Sequence, residues 1–401
     1  MRKIFKRSAL IAAAVTAVLL LALPVFCAKT QGKQEDGQTD EEAVRTELMR
    51  LLDEAEFTGW QRYYDELRRL SPEAAPYRSV RELAGSLTQG GANAETSLFG
   101  LLHGAFLPGL RKALAGMTGV CAAALAAGFC GVVFDDAGIK KLVLLFLCGA
   151  AIFSATAAFS SLAGKAAAAV GDTAGFAETA APTLGALLTA MGYPVSAKLL
   201  TPRLALTAGG AAAVIRSAAM PMLLASGVLT VLNGLTESLK LERWIKLLHK
   251  SVKWLLGLLT TVYSACAVAG GIAAANADSA ALRSAKYAVD RLIPAVGGMV
   301  TGAVDAVRSA SLLLKNGVGT AALLIIAGML LKPALELLCG MLAFRIAAAV
   351  LEPFSDERIV KMLDGIADTV SLLLACTAAA AAMFTVTVVM AIAAGGAFAG
   401  V

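Results

Sequence analysis

Leu142–Ala163 reads LVLLFLCGAAIFSATAAFSSLA, an apolar run that carries no charge. A helix needs roughly 20 such residues to cross a bilayer, so this stretch is long enough to span one. Further apolar runs occupy Thr118–Phe134, Leu204–Leu232, Trp254–Ala275, Val318–Val350 and Ile366–Ala394. The first of these is slightly short. Val318–Val350 is divided by Lys332-Pro333 and reads as one kinked span or a re-entrant pair. Backbone groups find no water in hydrocarbon, so long continuous apolar runs must satisfy their hydrogen bonds internally, as helices do. The expected fold is all-α: a polytopic membrane helix bundle over residues 118–401, preceded by a small helical region.

Composition points the same way. The 401 residues are 58% hydrophobic and only 16% charged, with a mean hydropathy of +0.73, well above soluble domains. The net charge of +6 is scattered, with no basic face interleaved with aromatics, which argues against nucleic-acid binding. Of seven cysteines only Cys27 lies outside hydrophobic segments, and no CxxC occurs, so they read as small buried hydrophobes. His103 and His249 stand far apart and offer no metal site. No GxxxxGK[ST], HExxH or GxSxG motif is present. Nothing in the chain suggests catalytic, cofactor-binding or metal-binding residues.

The start, Met1-Arg2-Lys3-Ile4-Phe5-Lys6-Arg7, is cationic and leads into an apolar run from Ala9 to Phe26. Residues 1–28 therefore read as a secretory signal, cleaved near Cys27 or Ala28, or as an uncleaved anchor. Residues 29–93 form an exported helical region. Thr39 or Asp40 caps a helix running to about Leu70, with Val44, Leu48, Leu51, Leu52, Ala55, Trp60, Tyr64 and Leu67 on one face. A region this small needs a surface to dock on, either a partner or the membrane domain. Residues 94–117 then read as an amphipathic interfacial helix or as a solvent-facing extension of the small helical region. Leu98, Leu101, Leu102, Phe106 and Leu110 make its apolar side, Pro108 bends it, and Arg111 and Lys112 suit the membrane interface.

Charge sets the orientation. Lys240, Arg243, Lys246, Lys250 and Lys253 against Glu242 make the following loop cytoplasmic by the positive-inside rule. Counting spans from an exported residue 29–117 region delivers that loop to the same side. Gly175–Gly192 and Arg283–Asn316 are only moderately apolar and are expected at the outer interface or beside a polar cavity.

Candidate functional residues come from repetition. Pro182–Thr189 is echoed by Pro294–Thr301, Leu199–Leu204 by Leu330–Leu335, and Glu242–Leu248 by Glu357–Leu363, in the same order. Internal repeats with interrupted helices are a common way to build a transport passage, which suggests copies over about 176–250 and 288–365. The candidate passage or helix-break residues are Pro182, Gly185, Pro202, Arg216, Pro294, Gly297, Gly298 and Pro333. Arg216 is a lone cation in an apolar span; it either lines a polar path, with Asp172, Glu178 or Asp305 as a partner, or snorkels near Pro221. Glu336 and Arg345 stand nine residues apart, too far to pair on one helix, and should reach neighbouring helices.

Three stretches resemble a known family. Lys286-Tyr287-Ala288-Val289-Asp290-Arg291-Leu292-Ile293-Pro294-Ala295-Val296-Gly297-Gly298 is similar to a hallmark of the stage III sporulation protein AE family. So are Leu312-Leu313-Leu314-Lys315-Asn316-Gly317-Val318-Gly319 and Leu351-Glu352-Pro353-Phe354-Ser355-Asp356-Glu357-Arg358-Ile359. Polar landmarks amid apolar neighbours (Lys315, Asn316, Glu352, Pro353 and Arg358) make the likeness specific. It runs from about Glu95 to the C-terminus and includes the signal-like start, while Lys29–Asn93 is less distinctive. The alanine richness departs from the family pattern.

The resemblance implies a non-enzymatic, permease-like pore or platform in the mother-cell membrane around the forespore of endospore-forming bacteria. Its implied partners are the other stage III A operon proteins, including a secretion-type ATPase and ring-forming proteins. Together these form a channel that sustains the engulfed forespore. A small-solute secondary transporter and a scaffold without its own passage are the rival readings, and a homo-oligomer is compatible with each.

Overall fold

The computed structural model describes residues 57–70, 77–88, 106–133, 137–190, 194–235, 241–292, 297–353 and 357–393. Signal residues 1–28, the helix face Val44–Ala55, the turn at Asp135-Asp136 and Pro294 lie outside them. Among the described residues the regular structure is helical and there is no strand.

Two short helices come first, α1 (Thr58–Leu70) and α2 (Val80–Thr88). The α2 start follows from Ser79-Val80-Arg81-Glu82. The Glu82 N–H donates to Ser79 Oγ at 3.2 Å, and the Glu82 carboxylate reaches back to the Arg78 N–H at 2.9 Å, close to a capping box. Helix α3 (residues 106–116) continues after a turn at Met117 into α4 (Thr118–Val133).

Next comes α5 (Ala137–Ala190), a single helix of 54 residues. At about 1.5 Å per residue it is roughly 80 Å long, far more than a bilayer core of about 30 Å. Two expected segments, the span Leu142–Ala163 and the interfacial piece Gly175–Gly192, are thus largely one rod. Helix α6 (Pro194–Ala205) passes into a π-helical turn (Leu206–Ala211), one α turn (Ala212–Val214) and a second π turn (Ile215–Ala219) before α7 (Met220–Leu235). Helices α8 (Glu242–Leu292), α9 (Gly297–Leu351) and α10 (Glu357–Ala393) complete the fold.

Four helical stretches are long and apolar enough to cross a membrane: Phe146–Thr189, Gly209–Gly234, Gly317–Leu351 and Glu357–Val389. Val318–Val350 is not re-entrant, because α9 passes through Pro333 without a break. Pro182 likewise sits inside α5. A proline forfeits one backbone bond, whereas unwinding in apolar surroundings would strand several, so the helix carries on.

Contacts between neighbours give the directions. Leu162 lies against Gly340, Phe159 against Gly227, Thr230 against Gly365 and Met362 against Gly234. Helices α5 and α10 therefore run one way, α7 and α9 the other. The connections after α7 and after α9 share one end of the bundle, with Glu242 close enough to Lys361 to act on its charge. Gly227 is a required glycine: Phe159 packs so closely over it that a Cβ would enter the ring.

One core holds Phe159, Leu162, Ile215, Leu223, Leu337 and Phe344 together with Leu363, Ile366 and Leu373. At the opposite end a second core joins Trp60, Tyr64 and Leu67 of α1 to Phe176, Ile325 and Phe384. The docking surface expected for the N-terminal helices is thus the membrane domain itself. Trp60, Tyr64 and Leu67 are each at most 2% exposed. Leu67 fits because Gly328 has no side chain; a Cβ there would come within 2.7 Å of Leu67 Cδ1.

Candidate functional site

The interrupted span lies between α6 and α7. Pro202 supplies no N–H, and the first π turn begins four residues later at Leu206, at a segment carrying Gly209-Gly210. π turns inside α-helices cluster at functional places because each offsets the following helix from its neighbours. Arg216 stands in the second π turn, exposed, within the candidate span Gly209–Gly234. Its Nη1 reaches α5, 3.7 Å from where a Cβ on Gly171 would stand. Asp172 is the next residue along α5 and is also exposed.

Two charge pairs within the spans join different helices. Lys165 on α5 meets Glu336 on α9 at 2.7 Å. Arg345, half a turn out of phase with Glu336 on α9, meets Asp368 on α10 at 2.9 Å. Each of Glu336 and Arg345 therefore reaches a different neighbour, as their spacing requires. Thr369, one residue after Asp368, accepts from His249 on α8 at 3.1 Å while its own hydroxyl donates to the Gly365 carbonyl at 2.9 Å. That arrangement puts the imidazole proton on Nε2. Burial holds the His249 pKa below its ordinary value; Asp368 opposes this and Lys253 adds to it. Higher up, the Tyr263 and Thr387 hydroxyls bond each other. In the docked N-terminal helices, the Tyr64 hydroxyl donates to the Tyr77 carbonyl at 3.1 Å, and burial pushes its pKa up.

The sequence candidates do not converge on one point. Pro182 is exposed and Gly185 buried near the end of α5, beside α6 with its exposed Pro202. Gly297 and Gly298 open α9, and Pro333 is half-buried in its interior. The first two repeat pairs occupy unlike positions: Pro182–Thr189 ends a helix where Gly297 begins one, and Pro202 is near the end of a short helix where Pro333 is deep inside a long one. Glu242–Leu248 and Glu357–Leu363 do match, each opening a long helix at the same end of the bundle. Of the landmark residues, Glu352 and Pro353 form the exposed turn after α9, with the Glu352 N–H donating to Ala348 O at 3.0 Å. Arg358 is half-buried in the first turn of α10. The Lys315 and Asn316 side chains lie outside the described residues.

Lys165 was not among the candidates, although it is the single charge between Lys141 and Asp172. That isolation was the available signal. The Arg345–Asp368 and His249–Thr369 contacts had none, since their members are far apart in the chain. Among the described residues no three His, Cys, Asp or Glu side chains are grouped as a metal site needs.

Long apolar helices joined by paired intramembrane charges, with N-terminal helices packed on one end, define a polytopic α-helical membrane protein. Residues 106–395 match the family model of stage III sporulation protein AE, and the chain belongs to that family. It is 32% identical over 214 residues to the stage III sporulation protein AE of Bacillus subtilis (strain 168), covering 53% of this chain and 54% of that protein. The match thus spans about half the length of the curated relative. No solved structure matches the chain.

Proposed function

We propose that this protein is a permease-like membrane component of the channel linking mother cell and forespore during endospore development. In this reading the basic connection before α8 faces the mother-cell cytoplasm. Helices α1 and α2, packed at the opposite end of the bundle, face the space between the two membranes. There they meet ring-forming partners, while a secretion-type ATPase works from the cytoplasmic end. The observation that carries the reading is Arg216, a cation exposed at membrane depth within a doubly π-turned span. An exposed charge at that depth requires water or protein around it, not lipid. A polar passage beside α5 meets that need.

The test is an Arg216→Leu variant in a spore-forming host that lacks its own copy. Membrane abundance should stay normal while heat-resistant spores fall by orders of magnitude, with Arg216→Lys partly active. Undiminished sporulation by Arg216→Leu would remove the basis for a passage at this position.

A further inference from the structure

Helix α8 opens with a row of cations. Arg243, Lys246, Lys250 and Lys253 are all exposed, and their three- and four-residue spacing lines them up along one side of the helix. Lys246 pairs with Glu242 one turn back at 3.1 Å. Among the described residues no carboxylate pairs with Arg243, Lys250 or Lys253. Asp368 on α10, which acts on His249 as Lys253 does, is already held by Arg345.

A second row runs beside the first. Trp244 and Trp254 are 63% and 68% exposed, and Leu247 and Leu258 are open as well. At about 100° per residue these four occupy the sector next to the cations, while Ile245, Val252 and Leu256 take the buried side. A purely solvated face does not need two open tryptophans, and a protein core does not carry four cations. Adjoining cationic and bulky apolar rows, both open, are the pattern of a helix at a lipid interface.

Depth selects the occupant. Helix α8 has no charged residue from Trp254 until Asp278, and α10 has none from Thr369 to its end at Ala393. His249 on α8 meets Thr369 on α10 at 3.1 Å, and both helices start at the same end of the bundle. The border between charged and charge-free sequence therefore falls at one depth, within about a turn, on two neighbouring helices. Trp254 stands at that border, where membrane tryptophans collect, and Lys250 and Lys253 stand on its polar side. That is headgroup depth. An acidic protein surface would match the cations and leave Trp254 and Leu258 open. A phospholipid covers both rows, its phosphodiester meeting the cations and its acyl chains the apolar side chains.

We propose that the start of α8 is a binding surface for anionic phospholipid, with Arg243, Lys250 and Lys253 drawing headgroup phosphates and Trp254 and Leu258 lying along the acyl chains. The surface is independent of any passage beside Arg216, and its test measures lipid binding and not sporulation, so the two fail separately.

The test uses the full chain in mild detergent, mixed with brominated-chain phosphatidylglycerol, which is anionic, or brominated-chain phosphatidylcholine, which is zwitterionic. Bromine quenches nearby tryptophan. The chain has three tryptophans, so a Trp244→Phe, Trp254→Phe variant measures the Trp60 background to be subtracted. Half-quenching should need less phosphatidylglycerol than phosphatidylcholine. Each cation near an anionic surface strengthens binding roughly fivefold, so Lys250→Gln should weaken the anionic lipid by about that factor. The triple variant Arg243→Gln, Lys250→Gln, Lys253→Gln should erase the preference. Arg68→Gln with Arg69→Gln, exposed cations of α1, should keep it. A readout that needs no variant is salt: at about 1 M, where charges are screened beyond about 3 Å, the unaltered chain should lose most of its preference. Equal quenching by the two lipids, the result if the row served an acidic protein instead, would overturn the proposal. So would a preference that survives the triple variant or high salt, or one that the α1 variant loses equally.

Discussion

The Trp60 indole stands edge-on to Phe176, ring centroids 5.5 Å apart, while its N–H donates to the Thr179 carbonyl at 3.3 Å. Phe176 in turn lies 5.5 Å from Phe384. One tryptophan therefore ties the N-terminal helices to two long helices of the membrane domain. Trp60→Ala should cost about 3–5 kcal/mol of that docking, the usual range for a buried large aromatic. Protease cleavage after Arg68 or Arg69 in detergent-solubilised protein should accelerate sharply. Unchanged cleavage would show that α1 is held by something other than this contact.

The close approach of α5 and α7 rests on Gly227. Gly227→Ala forces a methyl into the Phe159 ring, an overpacking of about 1–3 kcal/mol, against a helix-propensity gain of at most about 1 kcal/mol. Its melting temperature should fall. Gly116→Ala, where a methyl meets nothing within 4 Å, should leave stability level or slightly raised. Equal effects at the two positions would contradict the packing described.

Removing one member of the Lys165–Glu336 pair strands the other at membrane depth. Lys165→Met alone should lose about 2 kcal/mol, less than for fully buried pairs because both side chains keep some exposure. Lys165→Met with Glu336→Met should recover most of that loss, since no charge is left unpaired. Thermal stability of the three variants in one detergent decides it; a double variant as unstable as the single would count against the pairing.

His249 makes stability depend on pH. Burial lowers its folded pKa, so below the unfolded value of about 6.5 the unfolded chain takes up a proton that the folded chain refuses. Stability should therefore be level above about pH 6.5 and fall as pH drops from there toward the lower folded value. Asp368 softens the fall and Lys253 deepens it. His249→Gln should flatten that limb, and a wild-type profile with no acid limb attributable to His249 would refute the assignment.

Much of the fold was legible because membrane burial leaves a coarse mark. The runs Leu142–Ala163 and Ile366–Ala394 announce helices by length alone, and Trp60, Tyr64 and Leu67 share a face by spacing alone. The prolines were misleading as helix breaks. Pro182 and Pro333 resemble Pro202 in sequence, yet only Pro202 precedes irregular backbone, because Gly209-Gly210 follows it and weakens the helix locally. Glu336 visibly needed a partner; that the partner is Lys165, 171 residues earlier, is a property of how α5 and α9 cross.

Hydropathy, charge asymmetry and landmark residues are local properties, and they were sufficient to specify an all-helical membrane protein and its family. Which charges meet, which glycine is filled by a neighbour and which is left open, and where α1 docks depend on helix directions and rotations. Those are decided by packing between segments far apart in the chain, where a shift of one residue turns a side chain by about 100° and exchanges one neighbour for another. That is why the Lys165–Glu336 contact became visible only in the folded bundle.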